Sequence, residues 1–266
     1  MGMKELKSRA IQVVFTTILA LTIVFAAGPA MSAEGVDPEA DKILRSMSDY
    51  LNSLGAFSVN ADIDSEIIDL NGQKLQLSSV SSVTVERPGK MYVTKKGMIA
   101  DAEFIFDGKI LTVLGKNLNV YVQYESSGAI DNSIHTLEFE TGMDMPGADF
   151  LLSDPYNILI DGVKSGAYMG TTYVHGVECH YLTFREDQVD WQIWVKKGEA
   201  PLPMKYVITT KWLTGAPQYS LRLWDWNTKP QIEPSRFEFT APEGARKVES
   251  IKTNGLGKLI IEEIPK

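Results

Sequence analysis

Three consecutive segments that alternate with a period of two, and that carry all five tryptophans, constrain this chain most. They lie between Val189 and Trp226. Side chains at i, i+2 and i+4 share one face of a strand, and a helix cannot use that period. In Val189–Lys196 the residues Trp191, Ile193 and Val195 share a face, and Trp194 looks the other way. In Met204–Leu213 the set is Tyr206, Ile208 and Trp212; in Gln218–Asn227, Leu221 and Leu223 oppose Trp224 and Trp226. Neither face is purely polar. One face must pack on a core, and the other carries aromatic surface that calls for a helix, a lid or an apolar ligand. The more continuous apolar sets are expected inside: Trp191, Ile193, Tyr206, Trp212, Leu221 and Leu223.

The rest of the chain follows the same grammar. Asp37-Pro38 is a helix start, and Ile43, Leu44, Met47, Leu51 and Leu54 recur at helical spacing up to Gly55. Alternating runs then follow at 57–70, 75–86, 91–95, 102–106, 110–114 and 118–125, separated by Asn71-Gly72, Arg87-Pro88-Gly89 and Asp107-Gly108. Tight turns between consecutive strands predict an antiparallel meander. Alternation stops between Ser127 and Pro155. There two short helices are expected around Met145-Pro146-Gly147, the second ending at Asp154-Pro155, either as a lid or as a cap on the core. Strands resume after Val163. A short strand is expected to carry Phe237 and Phe239 on one face. The fold class is therefore mainly β with helices, in a single domain over residues 34–266 with a helical insertion at about 127–155.

Residues 1–33 read as a secretory signal peptide. Lys4, Lys7 and Arg9 precede an apolar run from Ala10 to Ala27, and small residues follow. The run reaches the lower edge of membrane-spanning length, so an uncleaved anchor is the alternative. No cysteine follows the run to accept a lipid. The formal charge of −8 disfavours nucleic acid as a partner. The single Cys179 cannot form an intramolecular disulfide and reads as a buried thiol, an intermolecular bridge being the alternative.

Several stretches in this order resemble the LolA-like family of periplasmic lipoprotein carriers and receptors. They are the N-terminal helix, Val85-Glu86-Arg87-Pro88-Gly89-Lys90-Met91, Phe106-Asp107-Gly108-Lys109-Ile110-Leu111, the helical interruption, Leu223-Trp224-Asp225-Trp226-Asn227, and Phe237-Glu238-Phe239-Thr240-Ala241-Pro242-Glu243-Gly244. Within that superfamily the chain looks most like a predicted periplasmic family of unknown function. The resemblance implies a curved antiparallel half-barrel, helices plugging its concave side, and a hydrophobic cavity between. It also implies that Arg87 governs lid closure and cargo transfer; read from the residues alone, Arg87 is a solvated turn arginine.

Enzyme chemistry finds little purchase. The nucleophile-elbow and phosphate-loop patterns are absent. His175, Glu178 and His180 do not share a strand face, so no metal is expected. Asp62, Asp64 and Glu66 read as a solvated strand face in preference to a cation site. No cofactor is expected. The expected function is a periplasmic carrier for lipid, lipoprotein acyl chains or another apolar ligand, with transient membrane contact. The alternative is a protein-interaction or sensor module built on the same half-barrel, and a hydrolase ranks last.

Overall fold

The computed structural model describes residues 35–254 and 258–261. The expected signal segment lies outside them. Helix α1 (Pro38–Ser53) begins where the sequence predicts: the Asp37 carboxylate accepts the Glu39 N–H at 2.8 Å, and Pro38 occupies the first turn. Its buried stripe is Ala40, Ile43, Leu44, Met47 and Leu51.

Six strands follow as a meander: β1 (Ala56–Ile68), β2 (Lys74–Glu86), β3 (Lys90–Gly97), β4 (Asp101–Phe106), β5 (Ile110–Gly115) and β6 (Val120–Glu125). The β1–β2 turn shows how such links are fixed. The Asp69 carboxylate accepts the N–H groups of Asn71 and Gln73, at 2.9 and 2.8 Å, while Gly72 takes φ +82°. A second meander comprises β7 (Ser165–Val174), β8 (Val177–Arg185), β9 (Val189–Lys196), β10 (Pro203–Thr210) and β11 (Gln218–Asn227). The two meanders join where β11 pairs antiparallel with β1, from Ser58 opposite Asn227 to Ser65 opposite Tyr219. With a two-residue strand β12 (Arg246–Lys247), which pairs parallel with β6, they form one curved open sheet. Strands β13 (Ile251–Thr253) and β14 (Leu259–Ile261) make a separate pair.

Between the meanders lie α2 (Ile130–Thr141), a 3-10 turn at Ala148–Phe150, and α3 (Pro155–Ile160). The expected second helix, ending at Asp154-Pro155, is not what forms. Those two residues start α3: the Asp154 side chain accepts the Asn157 N–H at 3.1 Å. This repeats the Asp37-Pro38 signal at the head of α1. All three helices pack on one face of the sheet, in a core built from the inward sets of both meanders. Asp41 of α1 is buried there. It accepts bonds from Arg45 at 2.8 Å and from the hydroxyl of Tyr156 in α3, so two helices share one satisfied carboxylate. Burial first, and then that carboxylate, push the Tyr156 phenol up to about 12.

The tryptophans need two corrections. Strand β10 ends at Thr210, so Trp212 sits beyond it in the hairpin turn and is 66% exposed. It is not an interior residue. Parity also fails between Trp224 and Trp226. A bulge places an extra residue in β11, with Asp225 at φ +55°. Trp224 therefore stays exposed while Trp226 packs on Phe57, ring centres 5.5 Å apart. On the outer face, Trp194 lies flat on Tyr181 at 4.6 Å and beneath the Lys205 ammonium at 4.5 Å. Trp194 and Trp226 are thus covered by the protein's own side chains, while Trp212 and Trp224 remain exposed. Phe237 is buried, but it closes a 3-10 turn (Pro234–Phe237) and no strand forms there; Phe239 packs on Tyr121.

Candidate binding cavity

The inward faces of β1–β4 do not meet the helices everywhere. Ala61 and Ile63 of β1, Val83 of β2, Met91 and Val93 of β3 and Phe104 of β4 form one wall of a cavity of about 340 Å³. Leu221 and Leu223 of β11, with Tyr219 and Trp226, form its flank. The roof is Ile134 and Leu137 of α2 together with Met143, Met145, Phe150 and Leu151. The lining is mostly apolar, and the volume is at the low end of the roughly 300–1,000 Å³ typical of ligand pockets. A larger depression of about 940 Å³ lies on the sheet under residues 230–242. Two of its cations are engaged within the protein, Lys116 with Glu103 at 2.9 Å and Arg236 over the Tyr92 ring.

The roof segment from Gly142 to Ser153 is shaped by two glycines and fastened at its far end. Gly142 ends α2 in the left-handed conformation. Gly147 has φ +92°, and a Cβ there would stand 2.7 Å from a Leu221 methyl. The segment can approach the sheet this closely only with glycine at that point. Phe150 then sets its ring edge-on to Tyr206 at 5.3 Å. The Asp131 carboxylate accepts the Ser153 N–H and hydroxyl at 3.1 and 2.7 Å.

Arg87 supplies the remaining fastening. Its Nη1 donates to the Leu151 carbonyl at 2.9 Å, so an arginine in the β2–β3 turn holds the roof. Nε and Nη2 are buried without a hydrogen-bond partner among the described residues, and the guanidinium stands 6.0 Å from the Phe57 ring. Burial lowers its pKa, while Asp131 opposes that shift. Arg87 is therefore not the solvated turn residue that its position in the sequence suggests.

Of the other residues singled out in the sequence, Leu221 and Leu223 line the cavity. Trp191, Ile193 and Tyr206 are buried, but they fill the other half of the interior. Trp191 stacks on Phe184 at 4.0 Å, and its indole N–H reaches Glu186 at 2.9 Å. Trp212 contributes to neither. The void therefore lies against the first meander, whose strands carry no tryptophan, and away from most of the tryptophan-bearing strands. Inward parity made Val83, Met91, Val93 and Phe104 available to sequence reasoning. Nothing in the pattern says which stretch of the wall the helices leave bare.

Cys179 is fully buried, and burial pushes its thiol up to about 11, which keeps it protonated and unreactive near neutrality. His180 shares its Nδ1 with the Tyr168 hydroxyl at 3.2 Å. Among the described residues no three acidic, histidine or cysteine side chains cluster as a metal site would require.

An open, mainly antiparallel sheet holding helices on one face, with a mostly apolar cavity under a fastened roof, makes a curved half-barrel. The chain belongs to the family described as "Predicted periplasmic protein (DUF2092)", whose model matches residues 40–251. No curated protein sequence matches it. Three solved structures show the range of likeness. An uncharacterized conserved protein from Thermus thermophilus has a TM-score of 0.48 at 11% identity, covering 79% of this chain and 99% of its own. Lipoprotein LppX of Mycobacterium tuberculosis gives 0.42 at 13%, covering 74% and 100%. A LolA superfamily protein from Nitrosomonas europaea gives 0.38 at 9%, covering 75% and 97%.

Proposed function

We propose that this protein is a periplasmic binding or carrier protein that shelters one apolar chain between β1–β4 and the roof segment, without catalysing a reaction on it. The observation that carries this reading is the mostly apolar 340 Å³ cavity beneath a roof held by a few polar contacts. Its size suits one chain of a lipid or of a lipoprotein anchor, not several. Arg87 acts as the latch: its bond to Leu151 holds the roof down, and breaking it opens a path for cargo. The signal segment at residues 1–33 delivers the chain to the periplasm. Transient membrane contact is where cargo is taken or given.

A second reading, as a protein-interaction module, has one observation in its favour. Strand β7 is an edge of the large sheet; Val36 bridges its first half at Gly166, while the second half exposes Met169 and Tyr173, an arrangement that can accept a partner strand there. Native mass spectrometry of protein released gently from the periplasm separates the two. Co-purifying lipid of defined mass supports the carrier. A stoichiometric protein partner with no bound lipid supports the module and overturns the carrier.

A further inference from the structure

The cavity is not apolar along its whole length, and the exception has a charge. Burial along the inward faces falls off toward the β1–β2 and β3–β4 turns. On β1, Phe57 to Ile63 are buried and Ser65 is half-buried; on β2, Val85 is buried while Val83, Ser81, Ser79 and Leu77 are half-buried. The mouth is therefore at this end, beside the strongly exposed Met98. The inward face of β3 reads Met91, Val93, Lys95 and Gly97, and all four line the cavity. Lys95 pairs across with Ser81; Ser79, opposite Gly97, and Ser65, opposite Leu77, line the cavity successively nearer the mouth. An apolar pocket thus ends in a collar of hydroxyls with one lysine.

That lysine is unmatched. Among the described residues no hydrogen bond or ion pair is made by its ammonium, and burial lowers its pKa with no carboxylate raising it. Two acids of β1 are engaged elsewhere. Asp64 binds Arg222 at 2.6 Å and the Ser78 hydroxyl, and Glu66 binds Lys74 at 3.1 Å. Asp144 lines the cavity from the roof, but it is exposed and makes no ion pair with Lys95. A half-buried ammonium facing an apolar cavity costs free energy that a bound anion offsets.

We infer that the occupant is a single-chain fatty acid, its hydrocarbon in the cavity and its carboxylate on Lys95 at the mouth. The inference rests on the carrier reading and adds the head-group chemistry. One ammonium among neutral hydroxyls matches a single negative charge, and the cavity volume matches one chain.

The test measures displacement of a neutral solvatochromic dye by myristate and by myristyl alcohol, at pH 7.5, from the full secreted chain. The wild type should release dye at about tenfold lower myristate than alcohol, the scale of one charge-assisted hydrogen bond. Lys95→Met should bring the acid to the alcohol's level and leave the alcohol unchanged. Lys95→Arg, which keeps the charge if Met disturbs folding, should retain the preference. Equal displacement by acid and alcohol in the wild type, or an acid preference that survives in Lys95→Met, overturns the inference and leaves the carrier reading standing. Failure to bind the dye or either ligand overturns both.

Discussion

Replacing Arg87 by leucine should open the roof while leaving the fold nearly as stable. The structure sets the terms. The substitution removes one charge-assisted bond to the Leu151 carbonyl, worth about 1.5–3 kcal/mol. It also removes an arginine–Phe57 contact at 6.0 Å, worth about 0.5–1 kcal/mol. Against that, it relieves two buried guanidinium nitrogens that have no acceptor among the described residues, each costing about 1–3 kcal/mol. The midpoints nearly cancel, leaving about 1 kcal/mol in the variant's favour, within a span from about 2 kcal/mol destabilising to about 4 stabilising. The roof has no such compensation, because the relief belongs to the arginine and the lost bond belongs to Leu151. Losing about 1.5–3 kcal/mol of closure raises the open population by about 10- to 100-fold. Stopped-flow release of a neutral dye should accelerate by that order. Hydrogen exchange should rise in the roof segment, residues 143–153, and not in β9. Unchanged release and exchange, with an unchanged melting temperature, would refute the latch and reduce Arg87 to a turn residue.

Other substitutions read other parts of the account. Gly147→Ala forces a left-handed backbone and a Cβ 2.7 Å from Leu221; it should cost about 1–3 kcal/mol and lower dye affinity, as thermal melts and titration would show. Tyr156→Phe removes the hydroxyl that satisfies buried Asp41 and should cost about 1–3 kcal/mol in denaturant unfolding. Trp212→Ala should shift stability by less than about 0.5 kcal/mol, whereas Trp191→Ala should cost about 3–5 kcal/mol. The alkaline limb has a definite sign. Tyr156 is an acid whose folded pKa, about 12, stands above its ordinary value of 10. Its contribution is full below about pH 10 and is lost as pH rises from about 10 toward 12. Melting temperature measured across that window should fall more steeply for the wild type than for Tyr156→Phe.

Most of the architecture was legible because its determinants are local. Asp37-Pro38 starts a helix by satisfying one N–H and presetting one φ, and Asn71-Gly72 turns a hairpin by tolerating positive φ. Both operate within about four residues. The alternation of Trp191, Ile193 and Val195 was equally sufficient to place them inside. Where reasoning failed, the cause was one residue of register or an unseen neighbour. The bulge at Asp225 sends Trp226 to the opposite side from its expected companion Trp224. Strand β10 stops at Thr210, short of the expected Leu213, which turns Trp212 out to solvent. Asp154-Pro155 starts α3, although a proline after a helical run equally suits a stop. Arg87 looked like a surface turn until Leu151, 64 positions away, came to rest on its guanidinium. The cavity was the least legible feature, since a void is set by how three helices seat on a sheet and not by any residue that lines it.

Titration of a neutral dye into the wild type and into Val93→Phe shows whether the space between β1–β4 and the roof takes up an apolar chain. Val93 is half-buried and faces that space. Phenylalanine there keeps the strand's preference for bulky side chains and fills part of the volume. The account predicts one equivalent of dye bound by the wild type, affinity reduced at least about tenfold in the variant, and a melting temperature held or raised. A wild type that binds neither dye nor lipid, or a variant that binds as tightly as the wild type, would contradict it.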